Sequence, residues 1–235
     1  MHTTYIGHSG FLVETAACYY LFDYYQGTLP QLDCGKTILV FASHAHQDHY
    51  NPEIFKILKS MGMQQITAVL SKDIPTKKYP QDIACMKVTF YQNYELPCDT
   101  VLHTLLSTDE GVAFLLQCPE GAIYHAGDLN DWAWDGEPEQ DNRQMTGSYR
   151  HEIDLLKTYQ KEFLEGRPID LAFVPLDPRQ EQYYAGGMLY FLKKIKAAEV
   201  YPMHFWEQPE IIDQFLNEYP EYRQLIQRNF INRRS

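Results

Sequence analysis

The stretch Ser43-His44-Ala45-His46-Gln47-Asp48-His49-Tyr50 places three imidazoles and a carboxylate within six residues. It follows the apolar run Thr37–Phe41 and precedes Pro52–Met61, whose apolar residues recur at helical spacing, with Asn51 as N-cap and Pro52 at the first helical position. The segment is therefore a strand-to-helix loop at the carboxyl end of a strand, where α/β proteins commonly build their sites. In an extended segment His44 and His46, two residues apart, turn their rings to one side, while Asp48 and His49, past the bend, face a second position. Imidazole and carboxylate donors suit Zn(II), Mn(II) or Fe(II), and paired ions sit about 3.5–4 Å apart. The competing reading is a solvated polar loop whose Asp caps the helix. With 9 His in 235 residues, a chance H-x-H-x-D-H is on the order of one in a thousand, which favours a metal.

Outward from this loop, short runs rich in β-branched, aromatic and aliphatic residues predict strands at Phe11–Val13, Tyr19–Phe22, Ile38–Phe41, Ala68–Leu70, Lys87–Phe90, Val101–Leu106, Val112–Gln117 and Ala122–His125. Helical spacing follows over Tyr149–Leu164 and Ala185–Ala198, each succeeded by a strand, Asp170–Pro175 and Glu199–Met203. Pro209 to Phe230 reads as one or two surface helices divided near Pro220, and the acidic stretch Asp135–Asp141 as a solvated loop or lid. Strands first, then helix–strand–helix–strand, implies an α/β (α+β) chain of sheets covered by outer helices. The expected organisation is one domain over residues 1–235, with no repeat or linker. Two later strands deliver further ligand types at their ends: Gly127-Asp128 after Ala122–His125, and His204 after Val200–Met203. A carboxylate there can bridge two cations.

Composition sets the boundaries. A 45% hydrophobic fraction and 14% aromatic content support a packed core and exclude general disorder. A formal charge of −11 argues against nucleic acid or an anionic membrane as partner. The five cysteines lack C-x-x-C spacing and read as reduced thiols of a cytoplasmic protein. The N-terminus shows neither a basic nor a long apolar segment, and no window reaches the roughly 20 apolar residues of a membrane span.

Taken together, Gly7-His8-Ser9-Gly10, the H-x-H-x-D-H loop, His125-Ala126-Gly127-Asp128, Asp170–Pro175 and Pro202-Met203-His204 resemble the metallo-β-lactamase superfamily along nearly the whole chain, in particular the small hydrolases that include L-ascorbate-6-phosphate lactonase. The resemblance implies a four-layer αβ/βα sandwich, two mixed sheets with outer helices and a site at one edge. It implies two divalent ions, Zn(II) first with Mn(II) or Fe(II) as alternatives. His44 and His46 would hold one ion; Asp48, His49 and His204 the other; Asp128 would bridge. The family's further His, after the strand Val101–Ser107, is absent, and Ser107-Thr108-Asp109-Glu110-Gly111 stands there. Either Asp109 takes its place as a hard oxygen ligand, or that ion is weakly held. His103, four residues upstream, reads as a packed or surface residue.

His8, Trp132 and Arg179 are candidate substrate contacts, Arg179 for an anionic group. Trp134 and Trp206 are further wall candidates, and His125 a support for Asp128. The resulting expectation is a hydrolase using a metal-activated hydroxide oriented by Asp48 or Asp128 on a small lactone, ester or phosphate ester. The alternatives are a phosphodiesterase or nuclease of the same superfamily, and a metal-binding protein that has lost turnover with the missing histidine. The partner expected is a small molecule, with oligomerisation left open.

Overall fold

The computed structural model describes residues 1–231. Leu39 and Phe41 point inward from one strand, and the intervening Ile38, Val40 and Ala42 point outward into a second apolar cluster. That period of two, apolar on both sides, is the mark of a strand buried on both faces, and the whole architecture follows from it.

The first sheet holds β1 (His2–Gly7), β2 (Gly10–Glu14), β3 (Cys18–Phe22), β4 (Thr37–Ala42), β5 (Ile66–Ser71) and β6 (Ala84–Val88) in chain order. Its first two pairings are antiparallel and the rest parallel. The second holds β7 (Asn93–Leu96), β8 (Thr100–Leu106), β9 (Val112–Cys118), β10 (Gly121–His125), β11 (Ile169–Pro175) and β12 (Ala197–Met203), also adjacent in chain order. Here β7 to β10 pair antiparallel and β10 to β12 parallel. Phe22 and Phe41 of the first sheet meet Phe114 of the second at ring separations of 6.4 and 5.3 Å, which marks the inter-sheet core. Helix α1 (Ile54–Ser60) packs Ile54, Phe55 and Leu58 on the outside of the first sheet. Helices α2 (Glu139–Phe163) and α3 (Gly186–Lys194) cover the second, and α4 (Glu210–Glu218) completes the same cluster with Ile212 and Phe215. The chain is thus a two-sheet α/β sandwich with outer helices, as expected. Among the described residues no helix is long and apolar enough to cross a membrane.

Several local expectations need correction. Strands β1 and β7 were not anticipated: both are edge strands, and their Thr3–Thr4 and Asn93–Glu95 segments lack an apolar run. Helix α2 begins at Glu139, ten residues before Tyr149, so the acidic stretch is partly helical. Nothing in residues 139–148 is buried, hence no periodicity reveals the helix; Glu139 and Asp141 in its first turn suit the positive end of the macrodipole. Helix α3 stops at Lys194, and Asn51 caps the turn before α1 by accepting from the Glu53 amide at 3.0 Å.

Candidate metal centre

The site forms where six connections meet at one edge of the sandwich. The first is the β1–β2 turn: Gly7 pairs with Gly10, leaving His8 and Ser9 to make the reversal, with His8 at φ 52°. The second is the loop after β4. Its root, Ser43, is crowded by glycines from the other sheet: a Cβ on Gly111 (φ +73°) would lie 2.0 Å from the Ser43 carbonyl oxygen, and one on Gly127 (φ +54°) 2.6 Å from Ser43 Cβ. Only glycine lets these backbones approach so closely at positive φ. The Val112 amide donates to the Ser43 carbonyl at 3.0 Å and joins the sheets at this edge. The loops after β8, β10, β11 and β12 bring Asp109, Asp128, Asp177 and His204.

Two groups of ligand atoms result. In one, His8, Asp48, His49 and His204 offer atoms all within 4.8 Å of one another; in the other, His44, His46, Asp109 and Asp128 do the same. Asp128 spans them: its Oδ1 lies 3.1 Å from His49 Nε2 and 3.5 Å from His204 Nε2, and its Oδ2 3.5 Å from His44 Nε2. His46 Nδ1 is 3.0 Å from His44 Nε2 and 3.7 Å from Asp109 Oδ2. Asp109, from the loop after β8, thus joins the second group. His8 stands among the ligand atoms, with Nε2 3.3 Å from Asp48 Oδ2.

Buried carboxylates orient the rings from behind. Asp23 Oδ2 lies 2.8 Å from His49 Nδ1 and accepts from Ser43 Oγ at 2.7 Å, and Asp177 Oδ2 lies 2.9 Å from His204 Nδ1. These contacts fix which ring nitrogen faces the centre. Burial works against charge on His49, but Asp128 and Asp23 overcome it and raise its pKa well above the ordinary value. Burial, with His49 nearby, lowers His44 to about 4. Burial likewise opposes ionisation of Asp128, yet the His49 and His204 imidazoles hold it well below the usual carboxylate range. Asp109 is raised by burial and by Asp128.

A cavity of about 490 Å³ opens onto both groups, lined by Asp48 and His204 of the first and by His46, Asp109 and Asp128 of the second. Trp132, Trp134, Met145, Arg179 and Trp206 form its walls, and Glu137 and Asp141 lie at its lining. Trp132 is placed by its Nε1, which donates to the Asp128 carbonyl at 2.8 Å. Trp134 is clasped by Asn142 of α2, whose side chain accepts from the Trp134 amide at 2.9 Å and donates to its carbonyl at 2.8 Å. Arg179 lies 4.5 Å over the Trp206 ring, and its Nε and Nη2 both donate to Asp177. His103 is remote, buried in β8 and stacked on Phe163 at 3.8 Å. His125 donates from Nε2 to the Ser9 carbonyl at 2.9 Å and accepts the Gly127 amide at 3.1 Å, so it steadies the turn that carries Asp128.

Sequence reasoning missed Asp23 altogether, and missed Gln180, whose buried amide donates to the carbonyls of Asp131 and Ala133 behind Trp132. Asp23 had a readable signal: it comes directly after the unbroken apolar strand Cys18–Phe22. Gln180 had none.

The polar atoms at the floor match a metal. The Nε2 atoms of His8, His49 and His204 and Oδ1 of Asp128 are buried and make no well-formed hydrogen bond, meeting only carboxylate and imidazole atoms of the same cluster at 3.1–3.5 Å. Leaving buried donors and acceptors unpaired costs about 1–3 kcal/mol each, and coordination would satisfy all four at once.

No curated protein matches the chain in sequence. Among solved structures, Igni18 from Ignicoccus hospitalis, described as a novel metallo hydrolase, is 17% identical at a TM-score of 0.63, aligned over 96% of this chain and 93% of that one. The metallo-β-lactamase fold protein YhfI from Bacillus subtilis is 12% identical at a TM-score of 0.60, over 94% and 88% of the two chains. CmlA, a diiron β-hydroxylase from Streptomyces venezuelae, is 13% identical at 0.58; the alignment takes in 96% of this chain but only 52% of CmlA. At such identities the likeness concerns the fold. The family model for the β-lactamase superfamily domain matches residues 2–143, more than half the chain. With its two mixed sheets and histidine–carboxylate edge, the chain belongs to the metallo-β-lactamase superfamily.

Proposed function

We propose that this protein is a metal-dependent hydrolase acting on a small lactone, ester or phosphate ester, of the kind handled by the L-ascorbate-6-phosphate lactonase branch. The observation that carries this reading is the convergence of buried imidazole and carboxylate atoms, without well-formed hydrogen bonds, beneath a tryptophan-walled cavity. His44, His46, His49 and His204 with Asp48, Asp109 and Asp128 are the side chains that would hold two divalent ions. Such ions supply a water acidified to near neutrality and polarise the substrate oxygen.

The protein's own groups do the rest. Asp48 lines the cavity, and although burial opposes it, the His8 contact keeps it ionised far below the usual carboxylate range. As a carboxylate that stays ionised it accepts a hydrogen bond from the attacking water and so orients it. Arg179 keeps Nη1 without an acceptor among the described residues, which suits an anionic substrate group. The three tryptophans exclude bulk water and strengthen every polar contact inside. Arg179 is the only Lys or Arg among the lining residues, so a long nucleic acid finds no phosphate track here.

The test is elemental analysis of protein purified without chelators, followed by a panel of lactones and phosphate esters with and without chelator. Two equivalents of metal per chain and chelator-sensitive turnover are expected. Absence of metal after reconstitution with Zn(II) and Mn(II) overturns the proposal.

A further inference from the structure

We propose that His8 is itself a metal ligand, giving the deeper half of the centre one protein donor more than the half formed by His44, His46, Asp109 and Asp128. This inference rests on the metal-dependent reading above.

Four observations carry it. First, His8 Nε2 converges with the donor atoms of Asp48, His49 and His204, all within 4.8 Å of one another. Second, that nitrogen is buried and makes no well-formed hydrogen bond, facing only Asp48 at 3.3 Å, and His49 Nε2 and His204 Nε2 likewise face Asp128 at 3.1 and 3.5 Å. Third, the ring is held ready. Its residue adopts φ 52° in a two-residue reversal, a left-handed conformation in which Asn, Asp and His are enriched among non-glycine residues. The adjoining Ser9 carbonyl is bound by His125, and the His8 ring packs 4.3 Å from His204 and 4.5 Å from Trp206. Fourth, His8 contributes no wall to the cavity that Asp48, Asp109 and Asp128 face, as a substrate contact would; it borders a separate groove beyond Trp206.

With His8 counted, the deeper half has three imidazoles, Asp48 and Oδ1 of Asp128 as donors. The other half has two imidazoles and two carboxylates, and the side chains of His46 and Asp109 are 47% and 46% exposed. Nitrogen-rich donors favour Zn(II) in the deeper half, and the carboxylate-richer half favours Mn(II) or Fe(II).

The competing role for His8 is as a simple partner of Asp48, 3.3 Å away. The test uses the full chain stripped by chelator, as wild type, His8→Asn and His8→Gly, both chosen because they tolerate positive φ. Each is titrated with Co(II), read by metal stoichiometry and by the Co(II) absorption spectrum, and unfolded thermally with and without metal. If His8 ligates, the tighter Co(II) equivalent weakens at least about tenfold in both variants, the scale already produced by outer-shell partners alone. Its absorption bands change, and added imidazole restores them in His8→Gly. Metal-free variants unfold no earlier than metal-free wild type. Unchanged Co(II) affinity and spectrum with earlier metal-free unfolding overturns the ligand role and leaves the hydrolase reading standing. A wild type that takes up no metal overturns both.

Discussion

The buried and the outer halves of the histidine cluster lie within one carboxylate's span of each other, yet they are supported in different ways. In the buried half, His49 and His204 each lean on an ionised carboxylate, Asp23 at 2.8 Å and Asp177 at 2.9 Å. In the outer half, His44 leans on the Ser43 hydroxyl at 3.0 Å, and His46 meets only its neighbours at the mouth. A carboxylate behind an imidazole fixes its tautomer and raises its basicity; a hydroxyl does the first weakly and the second hardly at all. The group behind the ring, rather than depth, thus sets how firmly it is held: His44 is as buried as His49 but has a hydroxyl where His49 has a carboxylate.

The substitution that erases the contrast has the largest expected effect. Asp128→Asn removes the one group shared by both halves, and turnover of a responsive ester should fall by about 10²–10⁴-fold, the range for a positioned acid–base group. A fall confined to one equivalent of metal, with turnover kept, would show that the halves work independently. Asp23→Asn comes next, since Asp23 is fully buried and holds Ser43 and His49 together. Loss of about 3–5 kcal/mol in urea unfolding is expected, the usual result of removing one partner of a buried charged pair.

Asp177 sharpens the comparison through pH. Burial opposes its ionisation, but His204 and Arg179 lower its pKa from 3.8 to about 2. A carboxylate depressed on folding stabilises the protein above its unfolded pKa and loses that contribution as pH falls toward its folded value. Metal-free protein should therefore lose stability between about pH 4 and pH 2, and Asp177→Asn should flatten the curve there, checked by chemical unfolding at stepped pH. The smallest effect is expected at Arg179. Arg179→Gln should raise KM for an anionic ester by about tenfold with kcat nearly unchanged, because the loss falls on uniform binding.

The sequence made the centre legible because its ligands are dense and sit at strand ends. The H-x-H-x-D-H loop, Asp128 and His204 each follow an apolar strand, and runs rich in β-branched, aromatic and aliphatic residues such as Ile38–Phe41 marked those strands. Asp109 was findable because a strand end without its histidine drew notice to the next carboxylate. What escaped depends on contacts distant in sequence. Asp23 and His49 are 26 residues apart, and Gln180 reaches carbonyls 47 and 49 residues away. Edge strands such as β1 bury too little to carry an apolar pattern, and the first ten residues of α2 bury nothing.

Those ten residues give α2 two unlike ends. Beyond Tyr149 the helix is bolted down: Tyr149 donates to the Gly187 carbonyl at 2.8 Å, Glu152 accepts the Leu106 amide at 3.2 Å, and Ile153 and Leu156 are buried. Before it, Asp141, Asn142 and Met145 overhang the cavity. Amino-acid changes in the overhang can therefore reshape what the cavity admits while the folding core stays intact. A lineage carrying this fold can exchange one substrate for another by drift in a single cantilevered stretch of helix, without passing through unstable intermediates.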